Sequence, residues 1–273
     1  MRKRKVGLAL GGGVARGLAH IGVLAVLEKE AIPIDMIAGT SAGAVVGALY
    51  TQGKDTTQMK KLTRDLGWKK LAPLADISLP KTGFIRGNKI KDMLASSFGS
   101  DIQFGDLTIP FACVATDIDS GEEVVINQGS VTEAIRASIS IPAIFTIVQR
   151  EGRYLVDGGL VNPVPVNVVK RMGADFIIAV NIIPDVTDRA HWESKKVEKE
   201  PKEPNILHII TQSIYITTYA LARSSSEEAD IVIEPEVSHI GAGDFHRAQE
   251  LVLRGVLAAQ VYIPEIKRQL KNL

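Results

Sequence analysis

A single cysteine, Cys113, stands in a chain of 273 residues. No disulfide framework can form within the chain, and a metal site built on several thiolates is excluded. Cys113 sits in the apolar run Ile109-Pro110-Phe111-Ala112-Cys113-Val114-Ala115, which reads as a buried strand rather than the setting of a reactive thiol. Aromatic residues are scarce at 5% and the formal net charge is only +1. The chain therefore lacks both the stacking platforms and the basic footprint that nucleic-acid binding needs. No apolar stretch approaches the roughly 18 uninterrupted residues of a spanning helix. The start Met1-Arg2-Lys3-Arg4-Lys5 followed by Val6–Leu10 imitates a signal peptide, but the apolar run stops at Gly11-Gly12-Gly13, too soon for the hydrophobic core of one. A cytoplasmic location is expected.

What is present is an ordinary globular balance, 45% apolar and 23% charged residues, in a length that suits one large domain over 1–273. Strand-like and helix-like segments alternate. Lys5–Leu10, Met36–Thr40, Ile109–Asp117, Glu123–Asn127, Arg153–Val156, Phe176–Ile183 and Asp230–Glu234 read as strands. Gly17–Ala31, Ala42–Gln52, Thr132–Ala137, Pro165–Met172 and His246–Leu270 read as helices. Near-continuous apolar strands suit a parallel sheet covered on both faces. The expected fold is therefore a three-layer α/β/α with a mostly parallel central sheet. Residues 185–205 break the pattern. Mixed charge, with Val186, Trp192 and Val197 as the only sizeable apolar side chains, predicts a mobile surface loop, with a lid as the alternative. Ile206–Ser224 carries apolar residues at helical spacing and reads as a helix covering the sheet; part of a lipid entrance is the alternative.

Three local signals carry chemistry. Gly11-Gly12-Gly13-Val14-Ala15-Arg16-Gly17 lies between a strand and a helix, where exposed N–H groups stabilise an anion. It matches neither the dinucleotide fingerprint nor a P-loop. Gly39-Thr40-Ser41-Ala42-Gly43 matches G-x-S-x-G between a strand and a helix, the context of a nucleophile elbow, where the flanking glycines let two backbone arms come close. A serine nucleophile needs a base. Among His20, His191, His208, His239 and His246, the last two suit the usual order of a Ser-Asp-His triad, whereas His20 reads as a packing or capping residue. A better candidate is Asp157, at the end of an apolar strand and followed by Gly158 and Gly159, where parallel sheets place their ligands. A turn aspartate is the plain alternative.

Together, the glycine loop, the Ser41 elbow and Asp157-Gly158-Gly159 resemble the patatin-like phospholipase family, in order and spacing. Leu18–Leu24 and Ala134–Pro142 resemble that family's flanking segments. The likeness is good over about 5–183 and faint beyond. It implies a Ser41–Asp157 dyad with no catalytic histidine and no metal or organic cofactor. It also implies an oxyanion hole from the backbone of Gly12, Gly13 and Val14, with Arg16 close by. Val14 stands where many members carry glycine. The activity implied is hydrolysis of an acyl ester in a lipid or lysolipid, reached by peripheral membrane contact. Rival readings are a regulatory or adaptor protein of the same fold and a Ser-His-Asp carboxylesterase.

Overall fold

Short strands buried on both faces form the centre of the molecule. The computed structural model describes residues 4–64, 83–85, 92, 102–188 and 203–271. The strands are β1 (Val6–Leu10), β2 (Met36–Thr40), β3 (Gly83–Ile85), β4 (Phe111–Asp117), β5 (Glu123–Ile126), β6 (Ala143–Phe145), β7 (Val148–Arg150), β8 (Arg153–Asp157), β9 (Phe176–Val180) and β10 (Ile231–Ile233). The helices are α1 (Ala19–Lys29), α2 (Ala42–Thr51), α3 (Thr56–Arg64), α4 (Val131–Ser138), α5 (Val166–Arg171), α6 (Ile206–Ser226) and α7 (Ala248–Lys271). Most of the charged segment expected at 185–205 lies outside the described residues, as does His191.

The main sheet runs β10-β9-β1-β2-β4-β8-β7, with β5 also on β4. The stretch from β10 to β4 is parallel; β5, β8 and β7 join antiparallel. Alternate residues of each parallel strand feed separate cores. Val6, Leu8, Leu10, Ile37, Cys113 and Ile178 pack on one face with α1, α2, α4 and α7. Ala9, Ala38, Val114 and Ala179 pack on the other with α5 and the end of α6. This is the expected three-layer arrangement, and the period-2 side-chain alternation of strands is its cause.

Strand β4 is longer than its neighbour β2, and this decides where the site forms. Residues 37–40 of β2 pair with 111–114 of β4, so β2 ends opposite Val114. The next residue of β4, Ala115, pairs with Asp157, the last residue of β8. β5 overlaps both registers and so takes the opposite edge of β4. Hence β2 and β8 meet end to end along one edge of β4.

Several boundaries differ from expectation. The helix expected from Gly17 starts at Ala19, behind a 3-10 turn at Val14–Leu18 that the glycine loop imposes. Strand β9 stops at Val180 rather than Ile183, because Asn181 turns to bond Glu234 and its own side-chain oxygen accepts from Ile183 N–H. Helix α3 had no sequence signal because Thr56–Arg64 is mostly polar. The covering role of Ile206–Ser224 holds for the second half of α6 only: Ala222 and Ser226 are buried, and Tyr215 and Tyr219 pack on the core. Ile206 is 71% exposed and Ile209 47%.

Helices α1 and α7 cross backbone to backbone. A Cβ at Gly22 would stand 2.0 Å from the Val252 carbonyl oxygen, and one at Gly255 would stand 1.9 Å from that of Ala19. Neither obstacle is a flexible side chain, so the helices must separate to admit a methyl group. Gly255→Ala is expected to lower stability by about 2–3 kcal/mol or more, read as a shift of the urea midpoint; an unchanged midpoint overturns this account of the crossing.

Candidate active site

The end-on meeting of β2 and β8 puts Ser41, one residue past β2, beside Asp157. Ser41 Oγ donates a hydrogen bond of 2.6 Å to Asp157 Oδ2. Ser41 has φ +53° and ψ −118°, a conformation L-residues rarely adopt and the strained backbone that an elbow demands. The glycines around it fill their expected roles. A Cβ on Gly39 would lie 2.6 Å from Ala44 N, and one on Gly43 2.1 Å from Leu10 O. A Cβ on Gly17 would strike Ala42 Cβ at 2.4 Å, and one on Gly158 the Val114 carbonyl oxygen at 2.3 Å. Close backbone approach, rather than turn geometry alone, accounts for these four.

Asp157 is buried, and its carboxylate takes one donor on each oxygen: Ser41 on Oδ2 and Gly159 N–H on Oδ1 at 2.8 Å. Burial pushes its pKa up to about 6, against the pull of those two hydrogen bonds. Desolvation disfavours the charged form, and no cation is among the causes of the shift to offset it. The result is a carboxylate that is ionised at neutral pH yet basic enough to take a proton.

One turn at the end of α4 holds both partners. Ser138 Oγ accepts from Ser41 N–H at 2.8 Å and donates to Val114 O at 2.6 Å. Two residues on, the Ser140 carbonyl accepts from Asp157 N–H at 3.0 Å. Arg136 Nη1 donates to Ser140 Oγ at 2.6 Å, tying that turn to its own helix. Thr116 Oγ1 donates to the Asp157 carbonyl and Thr40 Oγ1 to that of Asn162. Sequence reasoning noted this stretch only as a family likeness. The available signal was a pair of serines two apart at a helix end within an apolar context.

The glycine loop lies against the nucleophile: a Cβ on Gly12 would sit 3.3 Å from Ser41 Cβ. Its amides are divided. Gly11 N–H donates to Val180 O and Gly12 N–H to Pro163 O, each at 3.0 Å. Gly12 is thus withdrawn from the expected donor set, because its amide closes the loop onto the segment after β8. The N–H groups of Gly13 and Val14 donate to no acceptor among the described residues. Val14 has φ +53°, an unfavourable value for a β-branched residue. Arg16, expected close by the oxyanion hole, directs its side chain to other partners. It is buried, its Nε donates to Ile240 O at 2.8 Å, and its guanidinium stands over the Tyr215 ring.

Among the described residues, no imidazole takes the place of Asp157 at Ser41 Oγ. His239 Nε2 pairs with Glu250 at 2.8 Å, and His246 lies in the 3-10 turn ahead of α7. His20 is buried and holds the Gly11 carbonyl.

A hydroxyl on a sharp elbow, a buried carboxylate in contact with it, and two loop amides with no acceptor among the described residues can together support nucleophilic acyl transfer. Comparison with known proteins agrees in kind. Lysophospholipase nte1 of Aspergillus niger is 30% identical over 286 aligned residues, covering 97% of this chain and 18% of that protein. Lysophospholipase NTE1 of Kluyveromyces lactis is 29% identical, covering 97% of this chain and 19% of that protein. The chain thus spans under a fifth of the length of these curated relatives. Among solved structures, VipD from Legionella pneumophila superposes with a TM-score of 0.65 at 13% identity, over 97% of this chain and 67% of that one. The type III effector protein ExoU superposes with a TM-score of 0.51 at 14% identity, over 97% of this chain and 53% of that one. At such identities these two matches speak for the fold alone. The model of the patatin-like phospholipase family matches residues 8–170, more than half of the chain, and to that family the chain belongs.

Proposed function

We propose that the chain is one acyl-hydrolase domain that cleaves acyl esters of lipids or lysolipids through a Ser41–Asp157 dyad. The observation that carries this reading is the 2.6 Å hydrogen bond from Ser41 Oγ to Asp157 Oδ2. The names of the relatives support the lipid substrate. Asp157 takes the proton as Ser41 Oγ attacks the ester carbonyl. The oxyanion forms against the N–H groups of Gly13 and Val14, where each donor is worth about 10²–10³ in rate. The alcohol leaves with the proton, and a water deprotonated by Asp157 then releases the fatty acid from the acyl-enzyme.

The surface beside this site supports a peripheral approach to lipid. Helix α6 bears no acidic side chain along Ile206–Ser226, and its exposed start presents Ile206, Leu207, Ile209 and Ile210. The same helix packs on the turn just after Asp157: a Cβ on Gly159 would lie 3.7 Å from Thr218 Cγ2. Among the described residues no helix is long and apolar enough to cross a membrane, so contact through α6 is interfacial.

Ser41→Ala is expected to lose about 10⁴-fold or more of kcat with an unchanged circular dichroism spectrum. Asp157→Asn is expected to lose about 10²–10⁴-fold. A folded, active Ser41→Ala protein overturns the reading. Since Asp157 acts ionised, kcat/KM should rise with pH through a midpoint near 6.

Stability should run the other way. A carboxyl whose folded pKa stands above 3.8, at about 6, holds its proton more tightly in the folded chain. Its contribution is complete below pH 4 and is lost as pH rises through 6. Asp157→Asn escapes that loss, so its unfolding free energy at pH 8 should exceed that of wild type by on the order of 1–3 kcal/mol, read as a higher Tm, with the gap closing toward pH 4. Equal Tm values at pH 8 contradict the burial argument.

Ile206→Glu with Ile209→Glu should spare hydrolysis of a short soluble ester and reduce hydrolysis of vesicle lipid by about tenfold or more. Equal rates on vesicles refute α6 as the contact surface.

A further inference from the structure

His20 is fully buried on α1, close behind the glycine loop, and the dyad makes no use of it. Its Nε2 lies 2.8 Å from the Gly11 carbonyl oxygen. A carbonyl only accepts, so the ring proton sits on Nε2. Nδ1 faces no donor among the described residues. Burial lowers the pKa of the imidazole to about 4, which keeps the ring in this neutral, single-donor form throughout the working range of a carboxylate base. The ring is therefore neither a relay nor a base.

The bond matters because of the peptide it grips. The Gly11 carbonyl and the Gly12 N–H belong to one rigid plane. His20 holds the carbonyl end of that plane, and the Pro163 carbonyl holds the amide end at 3.0 Å. The plane before it is anchored by Gly11 N–H on Val180 O. Without the imidazole, the Gly11–Gly12 plane would be held at its amide end alone, by Pro163, and three successive glycines offer little resistance to its turning. Turning it would swing the next two amides, those of Gly13 and Val14, off the nucleophile.

We propose that His20 is a positioning residue for the oxyanion loop: its Nε2–H clamps the Gly11–Gly12 peptide so that the amides of Gly13 and Val14 stay aimed at the acyl group carried by Ser41. The role rests on the acyl-hydrolase reading above for its consequence in turnover, but not for its consequence in loop order. Glutamine tests it well, since its side-chain nitrogen is as many bonds from Cα as His Nε2. Asparagine is one atom short, and leucine carries no donor.

The experiment compares wild type, His20→Gln, His20→Asn, His20→Leu and Ser41→Ala as full chains. It reads kcat and KM on a short soluble ester, and hydrogen exchange of the segment 8–18. His20→Leu and His20→Asn should lose about tenfold to hundredfold in kcat, with KM within about threefold and the pH midpoint still near 6. Exchange of 8–18 should quicken about tenfold or more in both. His20→Gln should restore kcat to within about threefold, together with slow exchange. If His20→Leu fails to fold, the Gln–Asn contrast decides. Wild-type kcat and exchange in folded His20→Asn overturn the proposal, as does a His20→Gln protein as impaired as His20→Asn in both readouts, which would make the ring's packing the active feature. Turnover that survives Ser41→Ala defeats the Ser41–Asp157 dyad instead, and the exchange contrast then judges the clamp by itself.

Discussion

The edge of β4 between Val114 and Ala115 is the constraint on which the site depends. β2 comes up to it in parallel and stops; β8 comes down to it antiparallel and stops. Two strands ending against the same edge must point their last residues at one another, and those residues lead into Ser41 and Asp157. The ends are then held at fixed height by the α4 turn, Ser138 on the Ser41 amide and the Ser140 carbonyl on the Asp157 amide. A hydrogen-bonded pair 116 residues apart in sequence thus inherits its precision from sheet register rather than from its own side-chain flexibility.

Such precision has a thermodynamic cost. Ser41 and Val14 both hold φ of +53°, and Asp157 keeps a carboxylate buried with no cation to offset its desolvation. These features oppose folding, and two cores on either side of the sheet carry them. Both strained positions belong to the candidate site, one on the glycine loop and one at the elbow. The amides of Gly11, Gly12 and Ala15 are satisfied by carbonyls of Val180, Pro163 and Ala242, so the loop is tied to three distant segments of the chain.

The second half of α6 connects this interior to the surface. Its tyrosines pack inward: Tyr215 lies under Arg16 and donates to Pro184 O at 2.5 Å, and Tyr219 donates to Asp185. The first half stands exposed with isoleucines on several sides. One helix therefore reaches from Gly159, the neighbour of Asp157, to the solvent boundary.

Much of the fold was legible because parallel strands buried on both faces write themselves as unbroken apolar runs, as in Val6–Leu10 and Phe176–Val180. The elbow and the Asp157 turn were legible because only glycine tolerates the close backbone contacts at 39, 43 and 158. Polar α3 and the short β6 and β7 carried no such pattern. The sequence also determined which residue types a nucleophile, a base and an anion cradle need, and in what order they come. It did not determine which amides remain free: Gly12, Gly13 and Val14 are equivalent on paper, and only the approach of Pro163 across the fold removes the first. Nor did it assign Arg16 to Ile240, or His20 to Gly11. Those assignments depend on hydrogen bonds between distant segments, which sheet register and helix packing decide and local sequence pattern does not encode.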